Sequence, residues 1–106
     1  MPKYLLEVAY TAQGAKGVLK DGGSKRRAAA QKAIKSLGGK MEAFYFAFGE
    51  ADAIVIVDMP DAVSAAAMSM NVAATGAGGT RIRALLSAED IDKAAKKTAS
   101  YTPPGS

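Results

Sequence analysis

Two residue types that carry much of protein chemistry are missing: the 106-residue chain has no cysteine and no histidine. Without cysteine there is no disulfide framework and no thiol nucleophile. Without histidine the usual triad base is gone, along with the commonest ligand of zinc, copper and haem. No metal site and no cofactor are therefore expected, and carboxylates, tyrosines, lysines and arginines are left to do any chemistry. No apolar run approaches the ~20 residues of a membrane span. The opening segment, MPKYLLEV, has no long apolar region followed by a small-residue cleavage site, so a cytoplasmic protein with no membrane partner is expected.

Charge excludes less. The net charge is +4, from 14 cations and 10 carboxylates. A mild excess of this kind permits anionic partners without requiring nucleic acid. More than half of the cations fall in two helical stretches, around 25–40 and 93–97, where solvated helix faces account for them.

What is present reads as one domain. Lys3 to Tyr10 alternates as a strand, with Tyr4, Leu6, Val8 and Tyr10 on one face and Leu5, Glu7 and Ala9 on the other. TAQGAKGVLKDGG follows, and its four glycines argue against one long regular helix, leaving a turn or two over 15–20. Ser24 is the expected N-cap of a helix over 25–37, with Ala29, Ala30, Ala33, Ile34 and Leu37 as its buried stripe and Gly38-Gly39 as its stop. Met41 to Met59 predicts two strands joined by a tight turn at Gly49-Glu50-Ala51-Asp52, with Phe44, Phe46 and Phe48 sharing one face. Asp61 caps a helix over 62–75 whose expected inner face is Val63, Ala67, Met70 and Ala74. Thr80 to Leu86 is the fourth strand. Ser87, with Asp90 three residues on, forms a capping box for a last helix over 88–99. Met41, Met59, Met68 and Met70 read as core filler.

This order is the ferredoxin-like βαββαβ pattern followed by a C-terminal helix. It predicts an α+β fold, with helices on one face of a four-stranded antiparallel sheet and the strand order fourth, first, third, second. The domain spans 1–100, and 101–106, Tyr-Thr-Pro-Pro-Gly-Ser, is an extended arm. The other sheet face should be polar if it meets water. Yet Ala53-Ile54-Val55-Ile56-Val57 is apolar on both faces. Pairing two sheets face to face covers such a surface, so a homodimeric α/β barrel, or a higher homo-oligomer, is expected.

The local strings also carry a resemblance. YTAQGAKG, the arginine-containing helix start, the Gly-Gly-Lys and Phe-Tyr strings and the turn Gly49-Glu50-Ala51-Asp52 resemble the GYD-domain family, as do VDMPDAVSAAA and the terminal YTPPG. The resemblance spans nearly the whole chain and implies the dimeric α/β-barrel superfamily. Where the family's turn has tyrosine this chain has Ala51, so no role for that ring carries over, while Asp52 remains. No single activity is implied, because related barrels include cofactor-independent monooxygenases, haem enzymes, lactone isomerases and regulatory ligand binders.

Several residues stand out as site candidates. Arg26 falls at the centre of the stripe of Ala30, Ala33 and Leu37. It sits with Lys25 and Arg27 in a first helical turn, where cations oppose the helix dipole unless an anion is near. It reads either as an anion site with the amides after Gly22-Gly23, or as one half of an internal ion pair with Asp21, Asp52 or Asp58. Asp52 is either a turn residue bonding its own backbone or a site residue that pairs with Arg26 or acts as a base. Glu7 is either in a cross-strand pair with Arg81 or Arg83 or orients a polar ligand. Tyr4 and Tyr10 read as packing residues with bonded hydroxyls, Tyr10 also as a ligand contact. Tyr45 has room beside it because Ala43 and Ala47 share its face. The 14–23 segment, with Lys16 and Lys20, is either a lid with Lys16 as a ligand contact or an ordinary connection. Its glycines do not match a P-loop. RNA-recognition modules share this strand order but need aromatics on the third strand, and AIVIV has none.

The expectation is thus a binder of a small anionic or aromatic molecule, or a metal-free enzyme, using Arg26, Tyr45, Lys16 and Tyr10 for binding and Asp52 or Glu7 for protons. The alternative is a non-catalytic oligomerisation or regulatory module.

Overall fold

A computed structural model describes residues 1–47 and 49–106 of the chain. Phe48, expected on a face with Phe44 and Phe46, lies outside the described residues. The elements run β1 (Lys3–Tyr10), α1 (Ala12–Asp21), α2 (Gly23–Ser36), β2 (Lys40–Phe46), β3 (Ala53–Asp58), α3 (Ala62–Ala74), β4 (Gly78–Leu85) and α4 (Ala88–Ala95). The strands form one antiparallel sheet in the order β2-β3-β1-β4. This is the ferredoxin-like α+β architecture, with the two central strands β1 and β3 in the predicted places.

Strand alternation sorts the sheet. On the helix side, Tyr4 and Leu6 of β1 lie beside Val55 and Val57 of β3, and Ile34 of α2, Ala65 of α3 and Met59 close over them. Ile34, Val57 and Met59 are completely buried. Each such side chain contributes about 1.5–3 kcal/mol of transfer free energy. Leu37, Met41, Phe44, Met68 and Ile82 pack around this centre. Phe44 meets Phe46 edge-to-face, with ring centroids 5.2 Å apart.

Several local expectations change. The glycine-rich segment is a ten-residue helix, α1, because Thr11 caps it: its hydroxyl accepts the Gly14 N–H at 3.2 Å. Gly14 is needed there for packing, since a Cβ would run into the Ala77 carbonyl and lie 2.9 Å from the Tyr10 ring. Ser24 is not the N-cap of α2. Gly22 takes that place at φ 80°, ending α1 and starting α2 with no side-chain cap, a conformation that favours glycine. Ala29 faces solvent, so the buried stripe of α2 is Ala30, Ala33, Ile34 and Leu37. In α3 the inner stripe is Ala65, Met68 and Val72, with Ser69 partly covered, while Val63 and Met70 are 78% and 71% exposed. Apolar residues lie all round this helix, so the sequence leaves its phase ambiguous. The turn of the hairpin is wider than Gly49–Asp52: β2 ends at Phe46 and β3 begins at Ala53, and the Ala47 N–H donates to the Asp52 carbonyl at 2.9 Å.

The capping box at Ser87 and Asp90 is present. The helix it starts ends at Ala95, short of the expected Ala99, and all eight of its residues are exposed. A groove of about 1050 Å³ separates α4 from Met1, Pro2 and Lys3. Among the described residues no helix packs on the opposite face of the sheet, which is bare in that sense: Leu5, Ile54 and Ile56 are only partly covered there, amid charged residues that include Lys3, Glu7, Arg81 and Arg83.

Candidate functional site

β1 carries candidates on both faces, and the sheet keeps them apart. Tyr10 points to the helix side, opposite Gly78 of β4, and Glu7 points to the bare side, opposite Arg81 and Ile54. Tyr45 is also opposite Ile54, so it belongs with Glu7 and away from Tyr10. The expected grouping of Arg26, Asp52, Tyr10 and Tyr45 around one pocket is therefore split by the sheet. Strand alternation places Tyr45 on the outer face, where it is 69% exposed.

On the helix side, Tyr10 and Arg26 line a common cavity of about 60 Å³. Its walls are apolar, from Leu6, Val8, Ile34, Val55, Met68 and Val72 among others, and Thr80 adds a hydroxyl. The Thr80 Oγ1 is buried and has no hydrogen-bond partner among the described residues. Thr80 stands opposite Val8, one inward pair from Tyr10 and Gly78. The polar groups thus gather at the end where β1 finishes and α2 begins. Burial raises the Tyr10 phenol above its ordinary value. The Arg26 charge beside it pulls the other way and the Asp52 carboxylate adds to the rise.

Among the described residues Arg26 has one carboxylate within 4.0 Å, that of Asp21, with Nη1 and Oδ2 3.9 Å apart and both side chains partly exposed. Asp21 is shared with Lys25 at 4.0 Å. Ion pairs this long in water-accessible positions contribute little. The other expected partners are engaged elsewhere: Asp58 binds Lys3 at 3.0 Å, and Asp52 Oδ2 accepts the Tyr10 backbone N–H at 2.9 Å. The Asp52 N–H donates to the Val8 carbonyl at 2.9 Å. Asp52 thereby continues the β1–β3 ladder with its own side chain. The carboxylate was expected to bond the backbone of its own turn, and it bonds the backbone of β1 instead.

Glu7 pairs diagonally with Arg83, Nε to Oε1 at 3.3 Å. The N–H is not aimed at that oxygen, which stays buried without a hydrogen bond. A second hollow of about 260 Å³ opens beside it on the bare face, lined by Glu7, Glu50, Ala51, Gly79 and Arg81. Lys16 is exposed on α1 and lines neither hollow.

Thr80 is the site residue that the sequence reading missed. A signal was there: Thr80 alternates with Gly78 and Ile82 on the inward face of a strand, where a lone hydroxyl among apolar neighbours needs a partner.

The family model of the GYD domain matches residues 4–95. The chain belongs to the GYD-domain family. No curated protein and no solved structure matches it, so the family fixes the kinship of the chain while its chemistry has to be read from its own residues.

Proposed function

We propose that this GYD-domain protein binds a small anionic molecule, held by Arg26 and Tyr10 at the mouth of the cavity between sheet and helices. One observation carries the reading: a weakly paired guanidinium and a half-buried phenol line the same apolar cavity. Desolvation on one side strengthens a charge-assisted hydrogen bond from Arg26 to an incoming anion. Among the described residues the cavity lining contains no carboxylate: the Asp52 carboxylate accepts the Tyr10 backbone N–H, and Glu7 lies on the opposite face of the sheet. Binding is therefore favoured over catalysis. Native mass spectrometry of protein purified from its host tests this: a retained small anion is expected in the wild type and lost in Arg26→Ala. Equal retention by both proteins sinks the reading.

A second reading concerns assembly, and the bare sheet face favours it. Leu5, Ile54 and Ile56 form an apolar centre within a rim of both charge signs. Such a face matches a two-fold copy of itself, and a homodimeric α/β barrel would cover it. In this reading α4, exposed along its whole length, lies against the neighbouring subunit. A cytoplasmic location belongs to the same proposal, and among the described residues no helix is long and apolar enough to cross a membrane. Light scattering in solution tests the assembly, and a stable monomer at micromolar concentration would remove it.

A further inference from the structure

The cavity beside Arg26 is small, and its size limits what it can take. Its volume is about 60 Å³. An apolar cavity of about 150 Å³ accepts benzene. The space at Arg26 suits a few heavy atoms and excludes an aromatic ring. Its polarity is also one-sided. Among the described residues, Tyr10, Arg26 and Thr80 bring every side-chain donor in the lining, and the remaining walls are aliphatic, aromatic or alanine. A ligand that satisfies both ends has a charged head and a short apolar tail.

We infer that the ligand class is a short-chain aliphatic monocarboxylate, its carboxylate on Arg26 and Tyr10 and its alkyl tail in the cavity walled by Leu6, Ile34 and Val55. This deepens the proposed anion binding and rests on it. A carboxylate suits the planar fork of an arginine, and the phenol of Tyr10 supplies a further O–H donor. A phosphate would bring a larger, more strongly hydrated group with nothing to place in the apolar walls. The buried Thr80 hydroxyl offers one more donor to whichever carboxylate oxygen turns inward, and none of these contacts requires a metal. Cavity volume sets the tail at about one to three carbons beyond the carboxylate. Ala30 faces the same space, so a larger side chain at that position takes the place of the tail and leaves Arg26 untouched.

The test is a titration of the full chain with acetate, propionate, butyrate, benzoate and inorganic phosphate, followed by methyl and amide NMR. Propionate or butyrate is expected to shift the methyls of Val8, Val55 and Val72 and to bind at least about tenfold more tightly than benzoate or phosphate. Arg26→Gln should weaken that binding about 10- to 100-fold, the worth of a charge-assisted hydrogen bond. Ala30→Leu should abolish the gain from acetate to butyrate, and the wild-type methyl shifts report the same contact without any variant. Benzoate binding as well as butyrate overturns the carboxylate-tail assignment while leaving an anion site at Arg26. So does phosphate binding alone with no methyl shift. If no anion perturbs Arg26 or its neighbours, the inference and the proposed function both fall.

Discussion

The Asp52 carboxylate accepts the backbone N–H of Tyr10 at 2.9 Å, so a side chain stands in for the strand partner that β3 no longer provides. This places Asp52 in the frame of the site and accounts for its position just outside the strand. Asp52→Ala leaves a partly buried N–H without its acceptor and should cost about 1–3 kcal/mol in urea denaturation. Asp52→Asn keeps an amide oxygen there and should cost distinctly less. A role as proton acceptor would give another pattern, with Asn as damaging as Ala to any turnover.

Two glycines of α1 should answer alanine in opposite ways. At Gly17 a Cβ meets nothing within 4 Å. Gly17→Ala should then stabilise by about 0.5–1 kcal/mol through the lower chain entropy of the unfolded state. At Gly14 the same methyl strikes the Ala77 carbonyl and presses on the Tyr10 ring, so Gly14→Ala should cost about 1–3 kcal/mol. It should also weaken ligand retention by displacing the ring. Thermal melts of the two variants, run side by side, separate these effects.

Alkaline pH should reveal Tyr10. Its phenol titrates above the ordinary value because it is buried, an effect partly offset by Arg26. In the unfolded chain the group loses its proton near pH 10, before the folded protein does. The folded state therefore holds more protons in that interval, and stability falls as pH rises from about 10 through the folded value. Tyr10→Phe should flatten that decline in a series of urea titrations and remove a late component from the tyrosinate absorbance. An unchanged decline would place the effect elsewhere.

The bare sheet face can be probed with one charge. Ile56→Glu puts a carboxylate beside Leu5 and Ile54, on a face that water already reaches in the isolated chain. Folding of the subunit should change little, whereas a dimer built on this face should dissociate, because an unpaired charge buried between subunits is costly. Light scattering and circular dichroism on the same sample give the two readouts.

The elements and their order were legible because β1, β3 and the caps at Asp61 and Ser87 carry strong local signals. Alternation in Lys3 to Tyr10 places Tyr4 and Leu6 inside, and the ladder pairs them as that alternation requires. α1 was not legible as a full helix, since its four-glycine context hides the cap that Thr11 supplies. The phase of α3 was lost in its uniform apolarity, so Val63 and Met70 were put on the wrong side. For the site, Arg26 was visible as a cation out of place on an apolar stripe. Its neighbours were harder, because Tyr45 and Tyr10 differ only in the face each strand gives them, and Thr80 comes close to Arg26 only through a pairing between distant segments.

The alternation of β1 has a last consequence. Lys3, Leu5, Glu7 and Ala9 face the bare surface, while Tyr4, Leu6, Val8 and Tyr10 face the core and the cavity. If the bare face pairs subunits and the cavity holds a ligand, as proposed, one eight-residue strand serves both through side chains that never share a compartment. Substitutions at odd positions would then retune how subunits meet and leave the ligand's surroundings as they are, and those at even positions would do the reverse. Two traits written into the same few codons would in this way be free to drift apart.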